Sequence, residues 1–161
     1  NKKTMEKRVS LMLKNRGDKY VIFYMVDLDN FKNVNDTLGH IYGDQAIVET
    51  AQCLNKVFAN QDCIGRLGGD EFAVCVSYQA FDEQGLLEFI GKKAQEICAG
   101  NRRTYTDNAA SVSITSSIGV AYAPDMGDSF TELYTQADCA LYYSKANGKD
   151  QYHIYSPKDD N

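Results

Sequence analysis

The stretch Arg66–Val74, RLGGDEFAV, predicts two strands joined by a tight turn. Apolar runs flank it, DCIGRL before and FAVCVSY after, and its two glycines tolerate the positive backbone φ angles that tight hairpin turns require. Two adjacent carboxylates, Asp70 and Glu71, follow the glycines. Acidic residues at a hairpin tip are ordinarily solvated surface charges. A function for these two therefore depends on what the rest of the chain brings close to them.

Length and composition are those of an ordinary soluble domain. The 161 residues are 43% hydrophobic and 24% charged, which is enough for a hydrophobic core. No apolar run approaches the roughly 20 residues of a transmembrane helix, and no signal peptide opens the chain. We expect one domain over residues 1–161, cut from a longer protein, with no membrane contact by this segment.

The charge and the cysteines exclude several classes of function. The net charge of −5 argues against a nucleic-acid-binding surface, although lysines that converge locally could still bind a small anion. The five cysteines form no C-x-x-C pair and have no zinc-ligand spacing. They indicate reduced thiols, and therefore an intracellular, cytoplasmic protein.

A near-continuous apolar run, YVIFYMVDLD at residues 20–29, predicts a strand that is buried on both faces. After an N-terminal helix, the patterns along the chain predict strand, helix pair, hairpin, helix, strand, helix and strand. The last long helix opens with a capping box, Ser129 and Glu132. This order predicts an α+β fold, an α/β sandwich with one mixed, largely antiparallel sheet flanked by helices.

The acidic end of that first strand, Asp27 and Asp29, has several possible roles. Asp29 or Asn30 could cap the following helix, or both aspartates could simply be solvated. The segment also begins like an EF-hand loop, but Lys32 stands where that loop needs glycine and Leu38 where it needs the bidentate glutamate.

The position of this strand end suggests a metal site. A strand end beside a hairpin of the same sheet could bring Asp27, Asp70 and Glu71 together. Carboxylates that close repel one another unless a cation lies between them. Hard divalent cations such as Mg²⁺ prefer oxygen ligands and leave room for substrate phosphates.

Candidate phosphate-binding groups accompany the carboxylates. Asn30, Phe31 and Lys32 open a helix, so free backbone N–H groups and a lysine form an anion site there. Lys145 and Lys149 lie near the end of the last long helix. Each lysine alone is more often a surface charge. The combination indicates a nucleoside triphosphate bound with a metal.

Four ordered motifs resemble the GGDEF family of diguanylate cyclases and together cover nearly the whole chain. They are DLDNFKNVNDTLGHIYGD (27–44), RLGGDEFAV (66–74), SSIGVA (116–121) and QADCALYYSKANGKD (136–150). The resemblance implies a nucleotidyl-cyclase fold, ferredoxin-like and related to the palm of polymerases.

The resemblance also implies the metal and catalytic residues. Asp27, the backbone carbonyl of Leu28 and Asp70 would bind Mg²⁺ or Mn²⁺, with two ions per active site. Glu71 would be a second metal ligand or would help to deprotonate the attacking hydroxyl, so Asp70 and Glu71 are the expected catalytic pair.

Substrate-binding residues follow from the same motifs. Asn30, Phe31 and Lys32 would hold phosphates mainly through backbone N–H groups, and Lys145 and Lys149 would reach the β- and γ-phosphates. Asn35 and Asp44 would recognise the guanine base, and His40 would lie close to the nucleoside.

The implied reaction joins two GTP molecules into cyclic di-GMP with release of pyrophosphate. A ribose 3′-hydroxyl attacks the α-phosphate of the second GTP, and metal ions neutralise the developing charge. Because one domain holds one GTP, the active species should be a homodimer. A sensor or regulatory domain is expected N-terminal to this segment.

The chain departs from the family pattern at three places. Lys149 replaces the usual arginine and loses its bidentate fork, and Ser144 replaces the usual alanine. The R-x-x-D product-inhibition site has Ala59 in place of arginine, while Asp62 is retained. We expect no working product-inhibition site. The alternative function is an inactive module that binds GTP or cyclic di-GMP as a receptor or dimerisation domain, but the complete catalytic set favours an enzyme.

Overall fold

The computed structural model describes residues 1–59 and 62–160. Its elements in chain order are α1 (Lys2–Lys14), β1 (Tyr20–Asp29), α2 (Phe31–Leu38), α3 (His40–Val57), β2 (Cys63–Gly68), β3 (Glu71–Tyr78), α4 (Glu83–Gly100), β4 (Arg103–Asp107), β5 (Ala110–Ala123), α5 (Phe130–Ala146), β6 (Gln151–Ile154) and a short 3₁₀ helix (Pro157–Asp160). The predicted α+β fold is confirmed. Across the two described ranges, no helix combines the length and the apolar character needed to cross a membrane.

The strands form one sheet in the order β2-β3-β1-β5-β4, and β6 pairs with β5 as the single parallel neighbour. The central strand β1 pairs antiparallel with both β3 and β5. Its side chains Val21, Phe23 and Met25 pack in a core with residues of α1 and α5. The intervening residues pack against α3 and α4 on the other face. Burial on both faces explains why this strand is a near-continuous apolar run.

The strand β4 was not predicted from the sequence. Only Tyr105 among its five residues is buried, so its pattern resembles a polar loop. Side-chain hydrogen bonds hold it in place: Tyr105 donates to Glu49 of α3, and Arg103 donates to Thr50 Oγ1 at 2.7 Å. Its backbone pairs with β5 across the two-residue turn at Asn108 and Ala109, and the side-chain hydrogen bonds add contacts to α3.

Helix α5 lies unusually close to β5. A Cβ built on Gly119 would overlap the backbone of α5 at the Ala137 carbonyl and the Leu141 nitrogen, so only glycine fits there. Two residues before the end of α5, the buried Ser144 hydroxyl donates to the Ile118 carbonyl at 2.8 Å. The serine that replaces the family's alanine is thus accommodated with a hydrogen bond. The Ser129 half of the predicted capping box is confirmed, since Ser129 Oγ accepts from the Glu132 N–H at 3.2 Å, while the Glu132 carboxylate accepts from the Ser129 hydroxyl and the Asp128 N–H instead of the Ser129 N–H.

This close packing predicts the effect of adding a side chain at Gly119. Gly119→Val forces α5 away from β5, and we expect a loss of about 1–3 kcal/mol in the free energy of unfolding, measured in urea. The matched control is Gly85→Ala in the first turn of α4, where a Cβ would meet only Asp82 Oδ1 at 3.2 Å. That control should stay within about 1 kcal/mol of the wild type. Equal stabilities of the Gly119 variant and the wild type would contradict the close approach.

Candidate active site

The sheet register brings the end of β1 to the hairpin turn. Asp27 lies opposite Glu71 on β3 and opposite Ser117 on β5. One residue further on, the Leu28 N–H donates to the Asp70 carbonyl at 3.2 Å. Residues directly opposite on antiparallel strands project from the same face. Asp27 and Glu71 therefore share the face that α5 covers.

The turn between β2 and β3 is shaped by its glycines and by an arginine. Gly68 and Gly69 have φ angles of 151° and 51°, so the predicted need for positive φ is confirmed. The Arg66 guanidinium donates to the Gly69 carbonyl from Nε at 2.9 Å and from Nη2 at 2.6 Å. Asp70 and Glu71 are half-buried rather than fully solvated. The two hydrogen bonds from Arg66 therefore hold the turn at the hairpin tip in one conformation.

The Asp27 side chain is 19% exposed and has few polar partners among the described residues. Its Oδ1 is buried and has no hydrogen-bond donor, while its Oδ2 lies 3.3 Å from Lys145 Nζ. Burial raises the pKa of Asp27 from an ordinary 3.8 to about 7; Asp70 adds to the rise, and Lys145 opposes it. Burial, Asp138 and Asp70 also raise the pKa of Glu71. The carboxylates Asp27, Asp70 and Glu71 outnumber the one nearby ammonium, Lys145, so a bound cation would stabilise their ionised forms.

The donor atoms fit a hard divalent cation. The expected ligands are the Asp27 and Asp70 carboxylates and the Leu28 carbonyl, all oxygen, as Mg²⁺ prefers. The partnerless Asp27 Oδ1 fits the same cation. Within residues 1–59 and 62–160, however, no three His, Cys, Asp or Glu side chains form a group that could hold a metal ion. The carboxylates would therefore need the backbone carbonyl, water or substrate oxygens to complete the coordination.

Asp29 has a role that the sequence did not reveal. It is 3% exposed and accepts hydrogen bonds from Thr115 Oγ1 at 2.6 Å, Ser117 Oγ at 2.8 Å, Lys145 Nζ at 2.7 Å and the Asp150 N–H at 3.2 Å. Burial alone would raise the pKa of Asp29, but these side-chain donors outweigh burial and lower it. The alternative of a solvated Asp29 is therefore wrong.

The alternative that the side chain of Asp29 or Asn30 caps α2 is also wrong. Asn30 occupies the N-cap position of α2 with a φ of 70°, but its side chain makes no capping hydrogen bond. Its Nδ2 instead donates to the Ser113 carbonyl at 3.0 Å. Asn30 thus ties the start of α2 to β5, and the first N–H groups of α2 have no side-chain cap.

The expected base-reading residues lie on the α2–α3 pair. A Cβ built on Gly43 would overlap Asn35 Oδ1, so the backbone beside Asp44 lies against the Asn35 amide. Asp44 is exposed, as is His40 at the start of α3. The structure thus brings Asn35 close to the residue before Asp44.

The expected phosphate-binding lysines are in different environments. Lys145 is half-buried between Asp27 and Asp29. Lys32 and Lys149 are exposed, and neither forms an ion pair within the described ranges. Phe31 at the start of α2 is half-buried. Lys149 has a φ of 61°, and its N–H donates to the Ser144 carbonyl at 3.0 Å.

The degenerate product-inhibition segment is partly described. Asn60 and Gln61, the middle of the R-x-x-D pattern, lie outside the described residues. Asp62 Oδ2 accepts from the Ala59 N–H at 2.9 Å, and the Asp62 N–H donates to the Ala59 carbonyl at 3.0 Å. The retained Asp62 carboxylate is therefore already hydrogen-bonded to the Ala59 backbone.

Comparison with known proteins identifies the family of this chain. A family model described as diguanylate cyclase, GGDEF domain, matches residues 1–151. The chain is 34% identical over 141 residues to the bifunctional diguanylate cyclase/cyclic di-GMP phosphodiesterase MucR of Pseudomonas aeruginosa, covering 87% of this chain and 20% of MucR. It is 32% identical over 139 residues to the probable diguanylate cyclase DgcC of Escherichia coli, covering 86% of this chain and 36% of DgcC.

Other relatives and solved structures extend the comparison. The cyclic di-GMP phosphodiesterase PdeR of Escherichia coli is 29% identical over 158 residues, which are 98% of this chain and 23% of PdeR. The chain thus spans about a fifth of the length of several curated relatives. The GGDEF domain of TpbB (YfiN) from Pseudomonas aeruginosa superposes with a TM-score of 0.86 at 28% identity, covering 98% of this chain and 90% of that one. The coiled coil and GGDEF domain of DgcB from Caulobacter crescentus, in complex with c-di-GMP, superposes with a TM-score of 0.82 at 26% identity. The match covers 94% of this chain and 79% of that one.

The raised pKa of Asp27 predicts a pH dependence of stability. Between about pH 4 and pH 7 the folded protein binds a proton that the unfolded chain has already lost, so this group lowers stability as the pH rises. Asp27→Asn, which has the same shape and cannot ionise, removes that contribution. We expect the free energy of unfolding in EDTA to fall less steeply for the variant from about pH 5 to about pH 8.

Urea unfolding at several pH values tests this prediction. Asp107→Asn, at the exposed end of β4, is the matched control and should follow the wild type. Parallel curves for the wild type and the Asp27 variant would contradict the raised pKa.

Proposed function

The chain belongs to the GGDEF family, and on this basis we propose that it is a diguanylate cyclase, which condenses two GTP into cyclic di-GMP and releases pyrophosphate. The observation that carries the proposal is the pairing of Asp27 with Glu71 at the end of β1, where Asp27 Oδ1 is buried without a donor. Named diguanylate cyclases among the relatives support it. So does the presence of every residue that the family's motifs require for catalysis.

Each of the two bond-forming steps has the same chemistry. The 3′-hydroxyl oxygen of one GTP attacks the α-phosphate of the other, the bond to the leaving pyrophosphate breaks, and the hydroxyl proton is removed. The raised pKa of Glu71 makes it a stronger base at neutral pH than an ordinary glutamate, so it is suited to accept that proton. Mg²⁺ or Mn²⁺, two per site and held by Asp27, the Leu28 carbonyl and Asp70, would supply Lewis-acid stabilisation of the phosphate charge.

The remaining residues bind and orient the substrate. The N–H groups of Asn30, Phe31 and Lys32 point from the start of α2, where the helix dipole favours phosphate. Lys145 and Lys149 take the β- and γ-phosphates. The proposal places guanine between Asn35 and Asp44, with His40 near the nucleoside.

The proposal includes partners beyond this chain. Two GTP molecules must face each other, so catalysis needs a homodimer. Since GTP is supplied in the cytoplasm, the domain works there, and a regulatory domain N-terminal to it would control pairing. The relatives' greater lengths are in keeping with such further domains.

A second candidate is a GGDEF module that binds nucleotide without turnover. It is favoured by the likeness to PdeR, which is named as a phosphodiesterase and matches 98% of this chain. In that case GTP would bind, and no dinucleotide would form.

The first prediction from the proposal concerns Asp70. Asp70→Asn keeps the shape of the turn but removes a metal-binding charge, so we expect a folded protein that forms no cyclic di-GMP from GTP and Mg²⁺, measured by chromatography. Asp107→Asn is the matched control and should keep full activity. Normal turnover by the Asp70 variant would refute the assigned role. GTP binding without product in the wild type would favour the second candidate.

Base choice gives another prediction. The Asp44 carboxylate can accept hydrogen bonds from guanine N1–H and N2–H₂, whereas adenine offers no donor at those positions. Asp44 is exposed, so water can satisfy its carboxylate when adenine is bound, and the preference comes from the hydrogen bonds that adenine cannot donate. We therefore expect turnover of GTP to exceed that of ATP by on the order of 10². Parallel assays with the two nucleotides measure the ratio. Comparable rates would remove Asp44 from this role.

Weak product feedback is the third prediction. Ala59 offers no side-chain donor, the Asp62 carboxylate accepts from the Ala59 N–H, and the Arg66 guanidinium donates to the Gly69 carbonyl. A lost charge-assisted contact is worth about 1–3 kcal/mol. Calorimetric titration with cyclic di-GMP, without GTP, should show weak binding by the parent and tighter binding by Ala59→Arg. Micromolar or tighter binding by the parent, lost on mutation of Asp62, would prove this wrong.

A further inference from the structure

Two aspartates of β1 share one ammonium, and their surroundings differ. Asp29 is saturated with donors from β5, α5 and the turn before β6. Among residues 1–59 and 62–160, Asp27 pairs only with the Lys145 ammonium, and its other oxygen has no donor. The ammonium is also closer to Asp29, at 2.7 Å, than to Asp27, at 3.3 Å. Asp29 is therefore the anchor of Lys145, and Asp27 is its second partner.

We propose that Asp29 is a positioning residue that holds the Lys145 ammonium beside Asp27, so that this ammonium is the counter-cation of Asp27 until a divalent cation arrives with the nucleotide. The proposal deepens the proposed function, because it takes Asp27 to be a metal-binding residue. None of the roles implied by the motifs belongs to Asp29, and the proposal gives this residue a role in positioning Lys145.

The electrostatics of the three groups support this reading. An ammonium and a divalent cation repel each other strongly at a separation of a few ångströms, so they compete for the same carboxylate. Lys145 is half-buried, and solvent therefore screens the competition less than at the surface. When a cation displaces Lys145 from Asp27, the hydrogen bond to Asp29 would keep the ammonium at the site. Another N–H of the same ammonium could then donate to an incoming phosphate.

The anchor also ties the site to the fold. The Asp150 N–H and the Lys145 ammonium both donate to Asp29, so the carboxylate joins the end of α5 to the following turn. Thr115 and Ser117 hold the same carboxylate from β5. The position of the ammonium is therefore set by the sheet and not by a flexible side chain alone.

Mn²⁺ binding without nucleotide tests the competition. We expect Lys145→Met to bind Mn²⁺ at least about tenfold more tightly than the wild type, because the competing charge is gone. Lys92→Met, on the exposed side of α4, makes the same change in net charge and is the control; its affinity should stay at the wild-type value. Titration by electron paramagnetic resonance measures free Mn²⁺ directly. Equal or weaker binding by Lys145→Met overturns the proposal.

The anchoring role has its own readout in side-chain ¹⁵N spectra of the lysine ammonium groups. The wild type should show a slowly exchanging ammonium signal that is absent in Lys145→Met and lost in a folded Asp29→Asn variant. Lys93, which donates to the Val57 carbonyl at 2.8 Å, can give a second such signal, and that signal should be unchanged in both variants. An unchanged signal in Asp29→Asn, or no such signal in the wild type, overturns the proposal. The Mn²⁺ titration needs no Asp29 variant, so it decides the matter even if Asp29→Asn does not fold. Neither measurement uses GTP, and failure here is therefore distinguishable from failure of the proposed function.

Discussion

The pairing of β1 with β3 and β5 determines which residues meet at the site. Asp27 and Asp29 are two residues apart and project from the same face, toward α5. A register shift of one residue would turn both carboxylates to the opposite face and away from Lys145. The apolar residues before them, buried on both faces, make such a shift costly because every core side chain would change sides. Packing of the core therefore determines which side chains reach the site at the end of β1.

The second constraint is the close contact between α5 and β5. Gly119 allows the helix backbone to touch the sheet, and Ser144 adds a buried hydrogen bond one residue before Lys145. Helix and strand are thereby held at a fixed separation, and the lysine reaches both aspartates. A longer separation would leave Asp29, a buried charge, without a main donor, which is expensive in a low-dielectric interior.

Much of the fold could be predicted because its signals are local. The apolar run of β1, the glycine turn and the Ser129 cap of α5 each depend on neighbouring residues, and all three are confirmed. β4 pairs with the neighbouring strand β5 and was missed because four of its five residues are not buried and its turn, Asn108 and Ala109, contains no glycine. The sequence did not reveal Asp29 as an anchor for a different reason: its donors, among them Thr115 and Ser117, are more than eighty residues away along the chain. The alternation of Thr115 and Ser117 on β5, matched to that of Asp27 and Asp29, was the one available signal.

The central claim is that this carboxylate-lined strand end joins two GTP molecules. The most direct measurement is to incubate the dimerised domain with GTP and Mg²⁺ and to identify the product by mass spectrometry. The account predicts a cyclic dinucleotide of two GMP units, together with two equivalents of pyrophosphate. Unchanged GTP, or GDP and phosphate as the sole products, would contradict it.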